Sequence, residues 1–328
     1  MTVKGEIILE LLEAFPLEPS RTIARIAFDK NPKVFTTIED ARDTVRYYRG
    51  TKGDELRKNL KDGKYKKIWE SASVTIPEPV KEEREDFILP KVNNNVLLLS
   101  DIHVPYHDKG SLEIAVNWAK TRGVNTVLLL GDVIDFFALS SFMKEPRKIN
   151  FAYELDVLYE VIYWIADQLP NAKIYYLPGN HEFRYERYMV RNAPVLLDTD
   201  EWGLNNLLKL HELGVEYLRY KQLVRMGGLI GGHGDEVSRA RSAVNPARGF
   251  FLRAKTSYIG GHFHTPSNHS ESNLRGESIK CWSMGCLCGL TPDWNPYNNW
   301  KHGFARVRID GDNFDVFNAE INNGRITG

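Results

Sequence analysis

Three cysteines in 328 residues are too few to build a disulfide framework, so a reducing, intracellular setting is expected. No apolar run approaches the roughly 18 residues needed to cross a bilayer, which leaves no expectation of a membrane partner. The opening segment carries Glu6 and Glu10 and is expected as a helix rather than a cleaved leader. Net charge is also lacking: 43 basic residues face 43 acidic ones, so a globally basic nucleic-acid coat is excluded. There is no internal repeat and no low-complexity tract. Apolar residues make up 42%, enough for a folded core, which excludes disorder as a whole-chain state.

The charge that is present is unevenly placed. Residues 1–75 hold 15 basic and 12 acidic side chains, and the remainder holds 28 and 31. Positions 42–67 concentrate ten bases against four acids. A phosphate backbone is gripped by such an excess, although a solvated helix face has the same composition. Three short helices are expected here. Glu6 to Phe15 carries one apolar stripe, Ser20 caps a helix to Phe28, and Thr37 with Asp40 forms a capping box opening a helix to Arg49, which Gly50 stops. That arrangement is compatible with a helix-turn-helix whose third helix offers Arg42, Arg46 and Arg49 to DNA. Residues 76–95 combine three prolines, an acidic run and an Asn triplet, and are expected as a linker. The organisation is therefore a small all-α domain (1–75), a linker (76–95) and a larger domain (96–328).

From residue 96 onward short apolar runs alternate with amphipathic helices, the pattern of an α/β sheet with parallel pairs. Each apolar run ends in a polar cluster: Asp101-Ile102-His103, Gly131-Asp132-Val133-Ile134-Asp135, Gly179-Asn180-His181-Glu182, Gly232-His233 and Gly261-His262-Phe263-His264. Loops following adjacent strands converge in space, so five clusters can form one site at the carboxyl ends of the strands. Carboxylate and imidazole donors suit divalent Mn, Fe, Zn or Co, and a pair of such ions about 3.5–4 Å apart is one solution to phosphoester hydrolysis. Two cations that close need a bridging anion, which Asp132 can supply.

As a set, these motifs resemble the calcineurin-like metallophosphoesterase superfamily. The resemblance spans residues 96 to about 265, and the segment Thr37–Gly50 resembles the N-terminal modules of phage-type members. It implies two facing mixed β-sheets flanked by helices and a metal-dependent phosphoester hydrolase with two divalent ions, manganese first among them. It further implies that Asp101, His103 and His264 hold one ion, that Asn180, His233 and His262 hold the other, and that Asp132 bridges them. His181 would act beside the phosphate, with Asp135 and Glu182 orienting ligands. A phage-type member would work in the host cytoplasm. One departure is informative. The serine/threonine phosphatases of the superfamily place Arg-Gly after the second motif, and here Phe136-Phe137 follows Asp135. The Gly-His-x-His ending is instead of the nuclease and phosphodiesterase style.

The expected activity is a DNA-acting nuclease or phosphodiesterase. The alternative is a small-molecule phosphoesterase whose N-terminal module docks a partner. Arg184 and Arg187 are candidate phosphate clamps. Arg239 and Arg241 open a basic segment that could extend a nucleic-acid track, and His107 is a candidate pocket residue. Cys281, Cys286 and Cys288 are expected in the core.

Overall fold

The computed structural model describes residues 2–50, 78–80, 84–141, 145, 147, 150–237 and 244–328. The chain divides into two compact units, Met1–Glu82 and Glu83–Gly328. No helix among the described residues is long and apolar enough to cross a membrane.

The first unit contains α1 (Val3–Ala14), α2 (Ser20–Lys30) and α3 (Ile38–Arg49). Their apolar stripes meet in a small core of Ile8, Leu12, Ile23, Ala24, Ala27, Phe35, Ala41 and Val45. Two caps differ from expectation. Ser20 is the first residue of α2 and makes no side-chain cap; Pro19 precedes it in the capping position. At α3, Thr37 does accept from the Asp40 N–H at 3.1 Å. The Asp40 carboxylate, however, takes the Thr36 N–H and the Lys4 ammonium instead of closing a capping box on Thr37. Lys4 at 2.7 Å thereby ties α1 to the start of α3.

The second unit is built on two sheets. The first runs in the order β13 (Arg325–Thr327), β12 (Asn313–Asn322), β11 (His302–Asp310), β2 (Asn95–Leu99), β3 (Thr126–Leu130), β4 (Lys173–Leu177) and β5 (Glu216–Tyr217). The second runs in the order β1 (Phe87–Ile88), β6 (Val224–Met226), β7 (Leu229–Gly231), β8 (Tyr258–Gly260), β10 (Ser278–Ser283) and β9 (Ser267–Ser272). The period of two along a strand sorts the side chains into two cores. Val96, Leu98, Leu128, Leu130, Tyr175 and Leu177 meet Val224, Met226, Leu229 and Ile259 between the sheets. Leu97, Leu99, Val127, Leu129 and Tyr176 point the other way, onto α4 (Lys109–Lys120) and α5 (Phe151–Gln168). Burial on both faces explains why β2 and β3 read as continuous apolar runs in the sequence.

The segment 76–95 is not a linker throughout. Phe87 and Ile88 pair in parallel with Val224 and Arg225, and Leu89 is buried between the sheets. The apolar triplet Phe87–Leu89 has a face to fill, and that decides its structure over the flanking prolines.

Candidate metal centre

β2, β3 and β4 are adjacent and parallel, so the loops after them emerge side by side. The loop after β7 and the loop after β8 reach the same place from the second sheet, because Gly232 donates to Ile259 and Gly261 to His233. The backbone here is bent to bring side chains inward. Asp101, His103, Asp132, His262 and His264 all have positive φ, between 49° and 68°. Such a cluster in non-glycine residues is costly and persists at functional sites. Gly179 makes room for it: a Cβ there would run into the carboxylate and N–H of Asp132.

Asp132 sits at the middle. Its Oδ1 accepts the His181 backbone N–H at 2.8 Å. Its Oδ2 faces His233 Nε2 at 3.2 Å, His181 Nε2 at 3.7 Å and His103 Nε2 at 3.9 Å. Two donor groups share this carboxylate, His103–Asp132–His181 and Asp132–His233–His262, with all ligand atoms in each within 4.8 Å of one another. On the His103 side, His264 Nε2 lies 3.3 Å from His103 Nε2 and 3.1 Å from Asp101 Oδ1. Asp101 in turn accepts the His262 N–H at 2.9 Å and the Ser100 hydroxyl at 2.7 Å.

The imidazoles are oriented from behind. His103 Nδ1 lies 3.0 Å from Asp135 Oδ1, and His233 Nδ1 lies 2.9 Å from the Leu130 carbonyl. Each partner can only accept, so Nδ1 of each ring carries a proton and Nε2 is turned toward Asp132. Burial opposes ionisation of Asp101, but the His264 ring beside it holds its carboxyl down to about 2. Asp132 is also buried and is kept well below the usual carboxylate range by His181 and His233. Burial, followed by the charge of His233, pushes His262 down to about 4, so its ring stays neutral. Burial works against charging His233 and His264 too, but Asp132 holds His233 well above the usual imidazole range and Asp101 pushes His264 up to about 10, so a cation entering the site would displace protons from these two rings.

Whether the residues fit two ions is decided by the buried atoms that protein partners do not satisfy. His233 Nε2 and Asn180 Oδ1 are buried and make no hydrogen bond among the described residues. Both are lone-pair donors in the half of the site expected to hold one ion. An orphaned pair of this kind, beside a shared carboxylate, fits a dinuclear cation site.

Other expected residues fall into place differently. Glu182 acts on the site through the backbone. It is fully buried; one oxygen accepts from Val133 N, Ile134 N and the Tyr176 hydroxyl, the other from Asp132 N and Gly179 N. No lone pair is left for a metal or substrate. Asp135 binds His103 from one side and His181 from the other, with His181 Nδ1 at 3.1 Å. Arg184 does enter the site, and its Nη2 reaches His181 Nε2 at 2.9 Å. Arg187 lies one turn along α6 (Phe183–Asn192) and opposes Arg184 as a like charge. His107 pairs by backbone with Cys288, and its buried Nδ1 has no hydrogen-bond partner among the described residues. Arg239 and Arg241 lie outside the described residues, as does the basic stretch from Lys52 to Lys67.

In the first unit, Arg49 turns inward and donates to Ser20 Oγ and the Glu18 carbonyl, so it is a brace and not a free cation for DNA. Arg42 and Arg46 pair with Glu39 and Asp43 on their own helix.

Three contributors had no sequence signal. Cys288 Sγ is grouped with His103 and His264 and lies 4.0 Å from His264 Nδ1, whereas the sequence suggested only core packing. Trp300 packs edge-on against His264 at 4.1 Å between ring centroids. Buried Glu154 accepts from Phe137 N and Ala138 N and fixes the turn after Asp135. The position after Asp135 is now explained: Phe136 is fully buried, stacked between Phe151 and Tyr185.

Among solved structures, the chain is similar to Entamoeba histolytica Vps29 complexed with Zn²⁺ (13% identity, 71% of this chain and 96% of that one, TM-score 0.38). It is also similar to a dimetal phosphatase from Danio rerio (11% identity, 68% and 95%, TM-score 0.36). A third is the E. coli phosphoesterase Yfce (13% identity, 71% and 97%, TM-score 0.35). No curated protein sequence matches the chain. The family model for calcineurin-like phosphoesterases matches residues 95–282, more than half of the chain and a span that holds all five Asp, Asn and His clusters. With its donor residues converging on Asp132, this chain belongs to the calcineurin-like phosphoesterases and is a metal-dependent phosphoester hydrolase.

Proposed function

We propose that the protein is a phosphodiesterase that cuts DNA, with manganese as its preferred ion. The observation that carries this reading is the cationic face of the first unit. Arg21 and Arg25 are exposed one turn apart on α2, Lys30 and Lys33 are exposed beyond them, and none has an ion-pair partner among the described residues. A helical unit displaying unpaired cations on the same chain as a phosphoester-hydrolysing centre suits a phosphate-backbone substrate. The face belongs to α2, in contrast to the expected α3.

Asp101, His103 and His264 would hold one ion, Asn180, His233 and His262 the other, with Asp132 between them. Two bound ions supply an activated water and neutralise charge on the phosphoryl oxygens. The chain supplies the rest. Arg184 is poised to leave His181 Nε2 for a phosphoryl oxygen. Freed of Arg184, His181 Nε2 can take up a proton from solvent and pass it to the leaving-group oxygen, while Asp135 keeps the ring in place through Nδ1.

The test incubates metal-loaded protein with Mn²⁺ and end-labelled single- and double-stranded DNA, with Asp132→Ala as control. Metal-dependent cutting that the variant lacks is expected. Intact DNA, from a preparation that still hydrolyses an aryl phosphodiester, would overturn the DNA assignment and move the substrate to a small phosphoester.

A further inference from the structure

The loop between β10 and β11 places large aromatic rings at the metal centre. Trp300 lies against His264, and Trp294 lies against Trp300 at 5.5 Å between centroids. Trp294 is 75% exposed, an uncommon state for the largest apolar side chain. Its exposure is not the result of a loose loop. Asn298 Nδ2 donates to the Leu290 and Asn295 carbonyls, and its Oδ1 accepts the Trp300 N–H at 2.8 Å. Lys301 N donates to the His264 carbonyl at 2.9 Å, so the loop is fastened to a metal-ligand residue. Across the His103 loop, Tyr106 is also exposed, and its carbonyl accepts the Gly289 N–H.

An indole held in place beside a phosphate-binding centre has one evident use. Its face can stack on a planar ring with little ordering cost, because the loop has already paid it. We propose that Trp294 and Trp300 form a stacking platform for a nucleobase carried by the phosphate held at the metal centre. The platform makes the site selective for nucleotide-type phosphoesters over phosphoesters without a base. It rests on the phosphodiesterase reading only for where the base comes from.

Trp294 is the residue to change, since its ring packs on Trp300 and no ring contact with a donor residue is seen among the described residues. Binding of thymidine 5′-monophosphate and of deoxyribose 5-phosphate is measured by calorimetry on the metal-loaded protein and on Trp294→Ala and Trp294→Phe. The two ligands share sugar and phosphate and differ in the base. The native protein is expected to favour the nucleotide roughly five- to a hundredfold, the range that base–aromatic stacking spans. Trp294→Ala should lose most of that preference with unchanged affinity for the sugar phosphate, and Trp294→Phe should keep part of it. Equal affinities in the native protein, no nucleotide binding, or a full preference in Trp294→Ala would each overturn the platform. DNA cutting without base preference would remove the platform alone. Base preference with uncut DNA would keep it and remove the DNA assignment alone.

Discussion

Arg184 and His181 are locked to each other and to one carbonyl. Arg184 Nη2 lies 2.9 Å from His181 Nε2, and Arg184 Nη1 and His181 Nδ1 both donate to the Asp135 carbonyl at 2.9 Å. A guanidinium can only donate, so Nε2 carries the lone pair and Nδ1 the proton. Arg184→Ala frees the ring to rotate and removes the phosphate partner. The expected result is a fall in kcat of about 10- to 100-fold, the scale of a misplaced reacting group, with metal content unchanged. His181→Ala is expected to cost roughly 10²- to 10⁴-fold in kcat and also to keep the metals. Steady-state kinetics with parallel metal analysis checks both; native turnover in either variant would contradict the pairing.

Of the three donor groups found among the described residues, two share the Asp132 carboxylate. Asp132→Ala is therefore expected to lower metal content from two ions toward zero, not to one, and to abolish turnover. Emission spectrometry on protein dialysed against Mn²⁺ decides it, and full occupancy would mean that Asp132 does not bridge.

Glu182 gathers four backbone N–H groups and a tyrosine hydroxyl in a fully buried position. Glu182→Gln removes the charge and turns one oxygen into a donor facing donors. A loss of about 2–4 kcal/mol of stability is expected, since buried donors lose a charged acceptor. Tyr176→Phe removes one bond of the five and should cost about 1 kcal/mol. Urea denaturation of the three proteins gives the ranking, and equal midpoints for Glu182→Gln and the native chain would refute the anchoring role.

Gly179 is required for packing and not for turn geometry, since a Cβ would occupy the space of the Asp132 carboxylate. Gly179→Ala is expected to displace Asp132 and lower metal affinity at least tenfold. Gly214 provides the contrast: its Cβ would meet open space, so Gly214→Ala should cost some stability through its φ of 67° but leave metal affinity as it is.

Burial raises the Glu154 carboxyl to about 7, partly offset by the Ala138 and Phe137 N–H groups. The folded state therefore holds a proton that the unfolded state releases near 4.5. Its contribution to stability is complete below about pH 4.5 and is lost as pH rises through about 7. Relative to Glu154→Gln, the native protein should lose about 1–2 kcal/mol, a few degrees of Tm, across that window. Parallel melting curves from pH 4.5 to 7.5 would show the two proteins diverging; parallel displacement at all pH values would rule the titration out.

The sequence by itself determined the strand-and-motif order, the candidate donor residues and the family, because each candidate follows an apolar strand within a few residues. Val96–Leu99 predicts its own strand, and Asp101 and His103 come directly after it. The three helices of the first unit were legible for the same local reason, as were the sheet pair and its flanking helices through the resemblance. Tertiary structure decided what depends on partners distant in the chain. What Glu182 holds is set largely by the N–H groups of residues 132–134, about fifty residues earlier. Whether Arg49 is free is set by Ser20 and Glu18, and whether Phe87 is linker or strand is set by the empty edge of β6. Trp300 and Cys288 reach His264 only because β8 and β10 are paired. Local patterns fix which side chains follow a strand; only packing fixes which atoms remain unpaired when the loops close, and those atoms carry the chemistry.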